Sequence, residues 1–204
     1  RAVPNVLDYS TKRGSDIYKI ATSPLREGDR FDVESKDLNP FLKDVRKRAN
    51  EQGWDDEFSG ILSIPDDPKD PNECVADLID KYGDVTIEQI RANEVSYVAT
   101  PSRAAQDSYN LYMALWSTLS KAGKNKVAIW EKAYVVNGYY SGPLLLKVII
   151  RESRLDTNAT ASYIRGRLTK LDVVIQEQGC DIESFNQEVK NLIQALAARG
   201  ETTT

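Results

Sequence analysis

Apolar residues recur three and four positions apart along most of the chain. Residues with this spacing lie on one face of an α-helix, so each such stripe predicts an amphipathic helix. The clearest stripes are Leu38, Phe41, Leu42, Val45 and Ala49, then Ala105, Tyr109, Tyr112, Leu115, Trp116 and Leu119, and finally Ile182, Phe185, Val189, Leu192, Ile193 and Leu196. The pattern therefore predicts an all-α fold.

Capping residues, glycines and prolines divide this pattern into separate helices. Asp37 and Asp181 are predicted N-caps. Thr86 followed by Gln89 has the spacing of a capping box, and the helix that it opens carries Glu94 within its apolar stripe. The predicted helices span residues 11–22, 37–53, 72–83, 86–101, 102–123, 125–135 and 141–154, then 157 or 158 to 177, and 181–200.

Three segments depart from the amphipathic pattern. Residues 61–64 form a short apolar run that ends at Pro65, which predicts a brief extended segment. Residues 65–71 contain three prolines and three aspartates, a composition typical of a loop. Residues 144–150 are apolar on most sides and follow Ser141 and Pro143, which predicts a buried central helix rather than a strand.

Composition excludes several kinds of active site. The 204 residues include two cysteines and no histidine, so a Ser/His/Asp or Cys/His catalytic unit and an HExxH zinc motif are excluded. Cys74 and Cys180 cannot supply the four ligands of a zinc site, and two cysteines do not make a disulfide framework. We therefore predict no metal, no cofactor, no catalytic residues and a reducing, cytoplasmic location.

Hydropathy and charge limit the partners of the chain. Its longest apolar stretch, residues 144–150, is interrupted by Lys147 and is far shorter than the roughly 20 residues that cross a bilayer. We expect no membrane partner and no small-molecule substrate. Residues 1–100 hold 14 basic and 21 acidic residues, and residues 101–204 hold 13 and 10, giving net charges of −7 and +3. This asymmetry suits head-to-tail packing of copies, although ordinary solvated surfaces show it too.

Candidate binding chemistry is weak. Acidic residues gather at 55–57, 66–67 and 70 without the order of a calcium loop, which favours solvated turns. The basic segments 43–48, 121–132 and 151–170 are sparse in a chain of pI near 5.1, so we expect at most weak RNA contact and no dedicated RNA-binding motif. An aromatic set at helical spacing is interpreted as core rather than as a stacking platform or ligand pocket; it comprises Tyr109, Tyr112, Trp116, Trp130 and Tyr134.

The second half of the chain carries an ordered series of short motifs. Residues 168–201 combine a leucine-rich helix, a short polar break, a helix capped by Asp181 with Phe185 near its start, and a closing Leu-x-x-x-Gly-Glu. Upstream lie Gly-Lys-Asn-Lys-Val at 123–127 and Leu-Lys-Val-Ile-Ile-Arg-Glu-Ser at 146–153. In this order the motifs resemble the capsid region of the Gag polypeptide of copia-type LTR retrotransposons. The resemblance covers about half the chain, without the tryptophan expected after Pro143 or a downstream zinc knuckle.

The resemblance implies a fold and a function. Residues 1–179 would form a multi-helix, capsid-like N-terminal domain, and residues 181–204 the first helix of an incomplete C-terminal capsid lobe. The chain would be a structural protein that self-associates as a homo-oligomer into a virus-like shell enclosing the element's RNA. Because the C-terminal lobe of such proteins joins neighbouring subunits, the predicted self-association residues are Ile182, Phe185, Val189, Leu192 and Leu196.

Two other interpretations remain open. The first is a helical interaction or adaptor module that descends from such a Gag and does not assemble. The second is an enzyme that uses the acidic residues around Asp66. Large particles at raised concentration would favour the capsid protein over both.

Overall fold

The protein is described from a computed structural model, which covers residues 5–54, 59–65, 75–80, 85–177, 181–183, 185–186 and 189–190. The chain is mostly helical, which confirms the all-α prediction. The helices are α1 Lys12–Thr22, α2 Leu38–Gln52, α3 Ile87–Val98, α4 Arg103–Thr118, α5 Lys121–Ala128, α6 Gly142–Leu168 and α7 Leu171–Glu177. Short strands β1 Ser63–Pro65 and β2 Val75–Asp77 pair with each other, as do β3 Val135–Val136 and β4 Tyr139–Tyr140.

The chain divides into two compact units. The first unit comprises residues 1–33 and 37–152, and the second comprises residues 34–36 and 153–204. The division falls within α6. The predicted boundary near Gly179 lies at residues 178–180, outside the described part of the chain, so the division into lobes 1–179 and 181–204 stays a prediction.

Several helix starts follow the capping signals in the sequence. The Thr86 hydroxyl accepts a hydrogen bond from the Gln89 amide (3.1 Å), and the Gln89 side chain accepts one from the Thr86 amide (2.8 Å), which confirms the capping box. Ser102 caps α4 in the same way through the amide of Ala105. Each bond satisfies an amide that has no partner within its own helix, so these polar residues determine where the helices begin.

At the start of α2, one capping prediction is wrong. The helix begins at Leu38 as expected and ends before Gly53, which has a φ of 69°. Asp37, the predicted N-cap, makes no capping hydrogen bond through its side chain. It ends a 3₁₀ turn, Ser35–Asp37, and its ψ of 3° differs from the extended backbone that aims a cap side chain at the helix amides.

The core of the first unit is centred on the first turns of α6. The apolar residues of the run 144–150 are all buried, which confirms the predicted central helix. Gly142 allows this close packing, because a Cβ there would lie 2.5 Å from both the Ser108 carbonyl oxygen and the Leu111 Cβ. The predicted α2 stripe packs into the same core through Leu38, Phe41, Leu42, Val45 and Ala49.

The predicted helix over residues 72–83 is wrong where the structure describes it. Val75–Asp77 is strand β2, which runs antiparallel to β1 with Ser63 opposite Asp77. The ladder continues with the Leu78 amide donating to the Leu62 carbonyl at 2.8 Å. The tertiary partner therefore overrides the helical spacing of the apolar residues, as it commonly does for short segments.

The predicted helix over residues 102–123 is two helices. Helix α4 ends at Thr118, and Ser120 caps α5 through the Gly123 amide. Between them the backbone of Phe31 forms a bridge, accepting from the Ser120 amide and donating to the Thr118 carbonyl, both at 3.0 Å. Gly123 does not end a helix. It lies inside α5, where a Cβ would be 2.5 Å from the Phe31 carbonyl oxygen.

The predicted helix over residues 125–135 is also wrong in its second half. Helix α5 ends at Ala128, a 3₁₀ turn follows at Glu131–Ala133, and β3 and β4 form a hairpin. Asn137 and Gly138 have φ values of 50° and 84° and connect the strands. An Asn-Gly pair with positive φ at both residues is the favoured two-residue hairpin turn, so this pair begins a reversal of the chain rather than simply ending a helix.

The predicted break between residues 154 and 157 does not exist. Helix α6 runs without interruption from Gly142 to Leu168. Thr157 and Asn158 can cap a helix, but in a helix interior they cost only about 0.7 kcal/mol each relative to alanine. Residues 155–165 contain no proline or glycine, so nothing local ends the helix.

Candidate functional site

The predicted self-association segment begins as expected. The Glu183 amide donates to Asp181 Oδ1 at 3.3 Å, and the Phe185 amide donates to the Asp181 carbonyl at 3.0 Å. Residues 182–183, 185–186 and 189–190 are helical. Asp181 therefore starts a helical turn, and the carboxylate also suits the positive end of the helix dipole.

The described part of this segment is partly exposed. The Ile182 side chain is 67% exposed, while Phe185 and Val189 are half-buried. Leu192 and Leu196 lie outside the described residues. The role of all five residues in self-association stays a prediction.

Helix α7, in the same unit, adds further exposed apolar surface. Leu171 is 40% exposed and Val173 is 42% exposed, whereas Val174 is fully buried. With Ile182, the second unit presents three large aliphatic side chains to solvent. Single exposed aliphatic residues are ordinary, whereas exposed aliphatic residues that adjoin one another are typical of a surface that another molecule covers.

Two basic residues of α2, Arg46 and Arg48, have structural roles that the sequence did not reveal. Arg46 binds Asp77 through two hydrogen bonds of 2.7 Å and also contacts Asp80 at 2.9 Å. Arg48, in the basic segment 43–48, is 9% exposed. Its guanidinium donates to the last carbonyls of α1 and the residues that follow, from Ile20 to Pro24, where a cation also complements the helix dipole. Neither side chain belongs to an open basic face.

Most of the predicted aromatic core forms a stack. Tyr112 lies at its centre, with the Tyr140 ring 4.6 Å away and the Trp116 and Tyr134 rings at 6.0 and 6.3 Å. These separations are typical of attractive aromatic pairs. The core interpretation is therefore right for Tyr112 and Tyr134, which are buried.

Two members of the predicted aromatic set lie at the surface instead. Tyr109 is 42% exposed and Trp130 is 40% exposed. The Arg151 guanidinium lies 4.3 Å from the centre of the Trp130 ring, a distance typical of a cation–π contact. Helix α5 ends at Ala128, so Trp130 lies outside the helix in which it was predicted.

A buried carboxyl group is the most unusual polar feature of the first unit. Glu94, on α3, is fully buried, and its Oε1 accepts hydrogen bonds from the Ser108 hydroxyl and, at 3.3 Å, from the Tyr97 hydroxyl. Its Oε2 has no hydrogen-bond partner among the described residues. Burial raises the pKa of Glu94 above 4.5, while the hydroxyls of Ser108, Ser141 and Tyr97 act in the opposite direction. The Ser141 hydroxyl does not reach hydrogen-bond geometry at Oε2.

A cavity of about 330 Å³ opens beside Glu94. Its wall is formed by the end of α3, the first turns of α4 and the β3–β4 hairpin. Tyrosines line much of it, namely Tyr9, Tyr109, Tyr139 and Tyr140. The sequence showed Glu94 within an apolar stripe, which was the one available signal of a buried carboxyl. The cavity itself could not be expected, because the hairpin that forms part of its wall was not predicted as a hairpin.

The remaining sequence candidates give no site. The acidic residues at 55–57, 66–67 and 70 lie outside the described residues. Within the described ranges, no group of three or more acidic or cysteine side chains could hold a metal ion. Across the same ranges, no helix is long and apolar enough to cross a membrane.

No protein-family model, no curated protein and no solved structure matches the chain. The site is therefore interpreted from its own residues. They are three exposed aliphatic side chains in the second unit and, in the first, a tyrosine-lined cavity with a buried carboxyl.

Proposed function

We propose that the chain is a structural Gag-type capsid protein, which acts by self-assembly into a shell around the RNA of a retrotransposon. The observation that carries the proposal is the exposure of three aliphatic side chains in the second unit: Ile182 is 67% exposed, and Leu171 and Val173 are each at least 40% exposed. Burial of one large apolar side chain contributes roughly 1.5–3 kcal/mol. A contact repeated around a shell multiplies that contribution over many copies.

Two further features support the proposal. The chain is mostly helical, as the resemblance to Gag implies. The opposite net charges of residues 1–100 and 101–204 give a polarised subunit, which suits head-to-tail contacts between copies. No step of this function needs a catalytic residue or a cofactor.

Assembly can be measured directly. Light scattering of the purified 204-residue chain over a rising concentration series, followed by negative-stain electron microscopy, should show closed particles or large rings. A species that stays monomeric or dimeric at every concentration and salt condition would contradict the capsid function and favour the non-assembling adaptor.

A pair of variants tests which surface drives assembly. Ile182→Asp places a charge in the predicted contact and should raise the concentration needed for assembly at least tenfold, because one desolvated aliphatic contact is lost and a carboxylate would have to be buried. Ile129→Asp is the matched control, since Ile129 is 79% exposed but belongs to the first unit. Circular dichroism should show unchanged helix content in both. Normal assembly of Ile182→Asp would refute the role of this segment.

A further inference from the structure

The polar feature that the proposed assembly does not use is the buried Glu94 and the cavity beside it. We propose that this cavity binds an organic cation, an ammonium group on a short apolar stem, with Glu94 Oε2 as the hydrogen-bond acceptor. The cavity belongs to the first unit, whereas the exposed aliphatic side chains belong to the second, and ligand binding does not depend on assembly.

The first step of the argument is the unsatisfied acceptor. Glu94 Oε1 is held by the hydroxyls of Ser108 and Tyr97, so the carboxyl is fixed in place. Oε2 is equally buried and has no hydrogen-bond partner in the described part of the chain. Buried acceptors are normally paired, and an unpaired one is costly. Because Oε2 has no accessible surface of its own, a ligand in the cavity recovers this bond only by displacing the side chains that separate it from the carboxyl group.

The second step concerns the charge of the ligand. The residues that line the cavity include the Glu94 carboxyl and, among those that the structure describes, no lysine or arginine. The charge of Arg91 acts on Glu94, but Arg91 does not line the cavity and its guanidinium donates to backbone carbonyls of residues 132–135. An anion in the cavity would therefore have no cationic side chain in the wall to pair with. A cation would instead stabilise the ionised form of Glu94, and charge-assisted hydrogen bonds of this kind are stronger than neutral ones.

The tyrosines add to the preference for a cation. Tyr9, Tyr109, Tyr139 and Tyr140 contribute to the wall, and the faces of aromatic rings carry negative electrostatic potential that attracts ammonium groups. Cages of aromatic residues are a recurring way of binding such groups. The proposed site adds to such a cage a carboxyl group that can accept a hydrogen bond.

The rest of the wall determines the stem. Val98, Pro101, Ala105 and Val136 give it an apolar lining, and a cavity of about 330 Å³ lies at the small end of the range for ligand sites. A short aliphatic chain would bury its methylenes against these side chains. The ligand class is therefore a small alkylammonium ion, which includes the end of a lysine side chain.

The experiment uses three probes of equal length with the full chain: n-butylammonium chloride, 1-butanol and sodium butyrate. Dissociation constants come from ¹H–¹⁵N NMR titrations, with saturation-transfer experiments as a check on contact. We expect n-butylammonium to bind at least tenfold more tightly than 1-butanol, and butyrate not to bind. Equal affinity for the alcohol, or no binding of n-butylammonium, would overturn the proposal.

Variants assign the binding to the carboxyl. Glu94→Gln keeps the shape of the side chain and should remove the preference for n-butylammonium over 1-butanol. Glu88→Gln, an exposed residue of the same helix that does not line the cavity, is the matched control and should bind as the wild type does. A Glu94→Gln variant that keeps the preference would refute the role of Glu94.

A second variant covers the case in which Glu94→Gln does not fold. Ala105→Leu adds volume to the cavity wall from a half-buried position and leaves Glu94 unchanged. It should weaken n-butylammonium binding at least tenfold while the thermal unfolding midpoint stays near that of the wild type. Unchanged binding by this variant would show that the probe lies elsewhere and would also overturn the proposal.

Discussion

Replacing Asp77 by alanine is expected to lower the free energy of unfolding by about 3 kcal/mol, since it removes two kinds of interaction. The carboxylate accepts two hydrogen bonds of 2.7 Å from the Arg46 guanidinium, and it accepts from the amides of Ile79 and Asp80 at 2.8 and 3.1 Å. The ion pair joins α2 to the end of β2. The alanine replacement therefore tests the tertiary contact of a region that the sequence predicted to be a helix.

The magnitude follows from the partial burial of the pair. The Arg46 and Asp77 side chains are 27% and 28% exposed. Exposed ion pairs contribute about 0–1 kcal/mol, whereas removing one partner of a buried pair costs about 3–5 kcal/mol. An ion pair with two hydrogen bonds and this degree of exposure should therefore contribute about 1.5–2 kcal/mol to the free energy of unfolding. The two amide bonds account for roughly another 1 kcal/mol, because water can replace part of them.

Asparagine separates the two interactions. Asp77→Asn keeps an oxygen that can accept from the Ile79 and Asp80 amides but loses the charge, so it should cost about 1.5 kcal/mol, half the effect of alanine. A double-mutant cycle with Arg46→Gln, measured by urea unfolding at neutral pH, should give a coupling of about 1–2 kcal/mol. A coupling below about 0.3 kcal/mol would refute this account of the ion pair.

The same pair predicts a pH dependence. Burial alone would raise the pKa of Asp77, but the Arg46 guanidinium and the Asp80 and Ile79 amides outweigh it and hold the pKa below 3.8. A carboxyl with a lowered folded-state pKa stabilises the protein above its unfolded-state value and loses that contribution as the pH falls through the folded-state value. The wild type and Asp77→Asn should therefore converge in stability below pH 3.8, and a constant difference would contradict the pairing.

Two further predictions concern the buried Glu94 and the glycines of α6. Burial keeps the pKa of Glu94 above 4.5, so the free energy of unfolding of the wild type should fall as the pH rises from 4.5 through the folded-state pKa. Urea unfolding of Glu94→Gln at the same pH values should show a smaller fall. Parallel plots of unfolding free energy against pH for the two proteins would contradict this prediction. Gly142→Ala should lower the free energy of unfolding by about 1–3 kcal/mol, because the new Cβ would lie 2.5 Å from a backbone oxygen. Gly166→Ala, in the same helix with nothing within 4 Å, should instead raise it by about 0.5–1 kcal/mol; thermal unfolding of both variants checks the opposite signs.

The sequence alone determined most of the helices and several of their ends. The capping box of Thr86 and Gln89, the cap at Ser102 and the left-handed Gly53 are local features, since each depends on residues within four positions of one another. The buried start of α6 was also predictable, because a run that is apolar on most sides has no face suited to water.

The tertiary structure decided the segments whose partners are distant in the chain. Val75–Asp77 becomes a strand because β1 supplies its ladder, and the backbone of Phe31 separates α4 from α5. No local pattern contains these partners. The Asn137–Gly138 hairpin is different, because its turn signal is local and stands in the sequence just after the predicted helix over residues 125–135.

The candidate cavity depends on both levels. The sequence placed Glu94 on an apolar stripe, but its burial against Ser108 and the tyrosine-lined wall arise only when α3, α4 and the hairpin come together. Helical periodicity depends on neighbours three or four positions away, so it is written in the sequence. The surroundings of a buried carboxyl depend on residues from four separate segments, from Tyr9 to Ser141, and only folding brings those segments together.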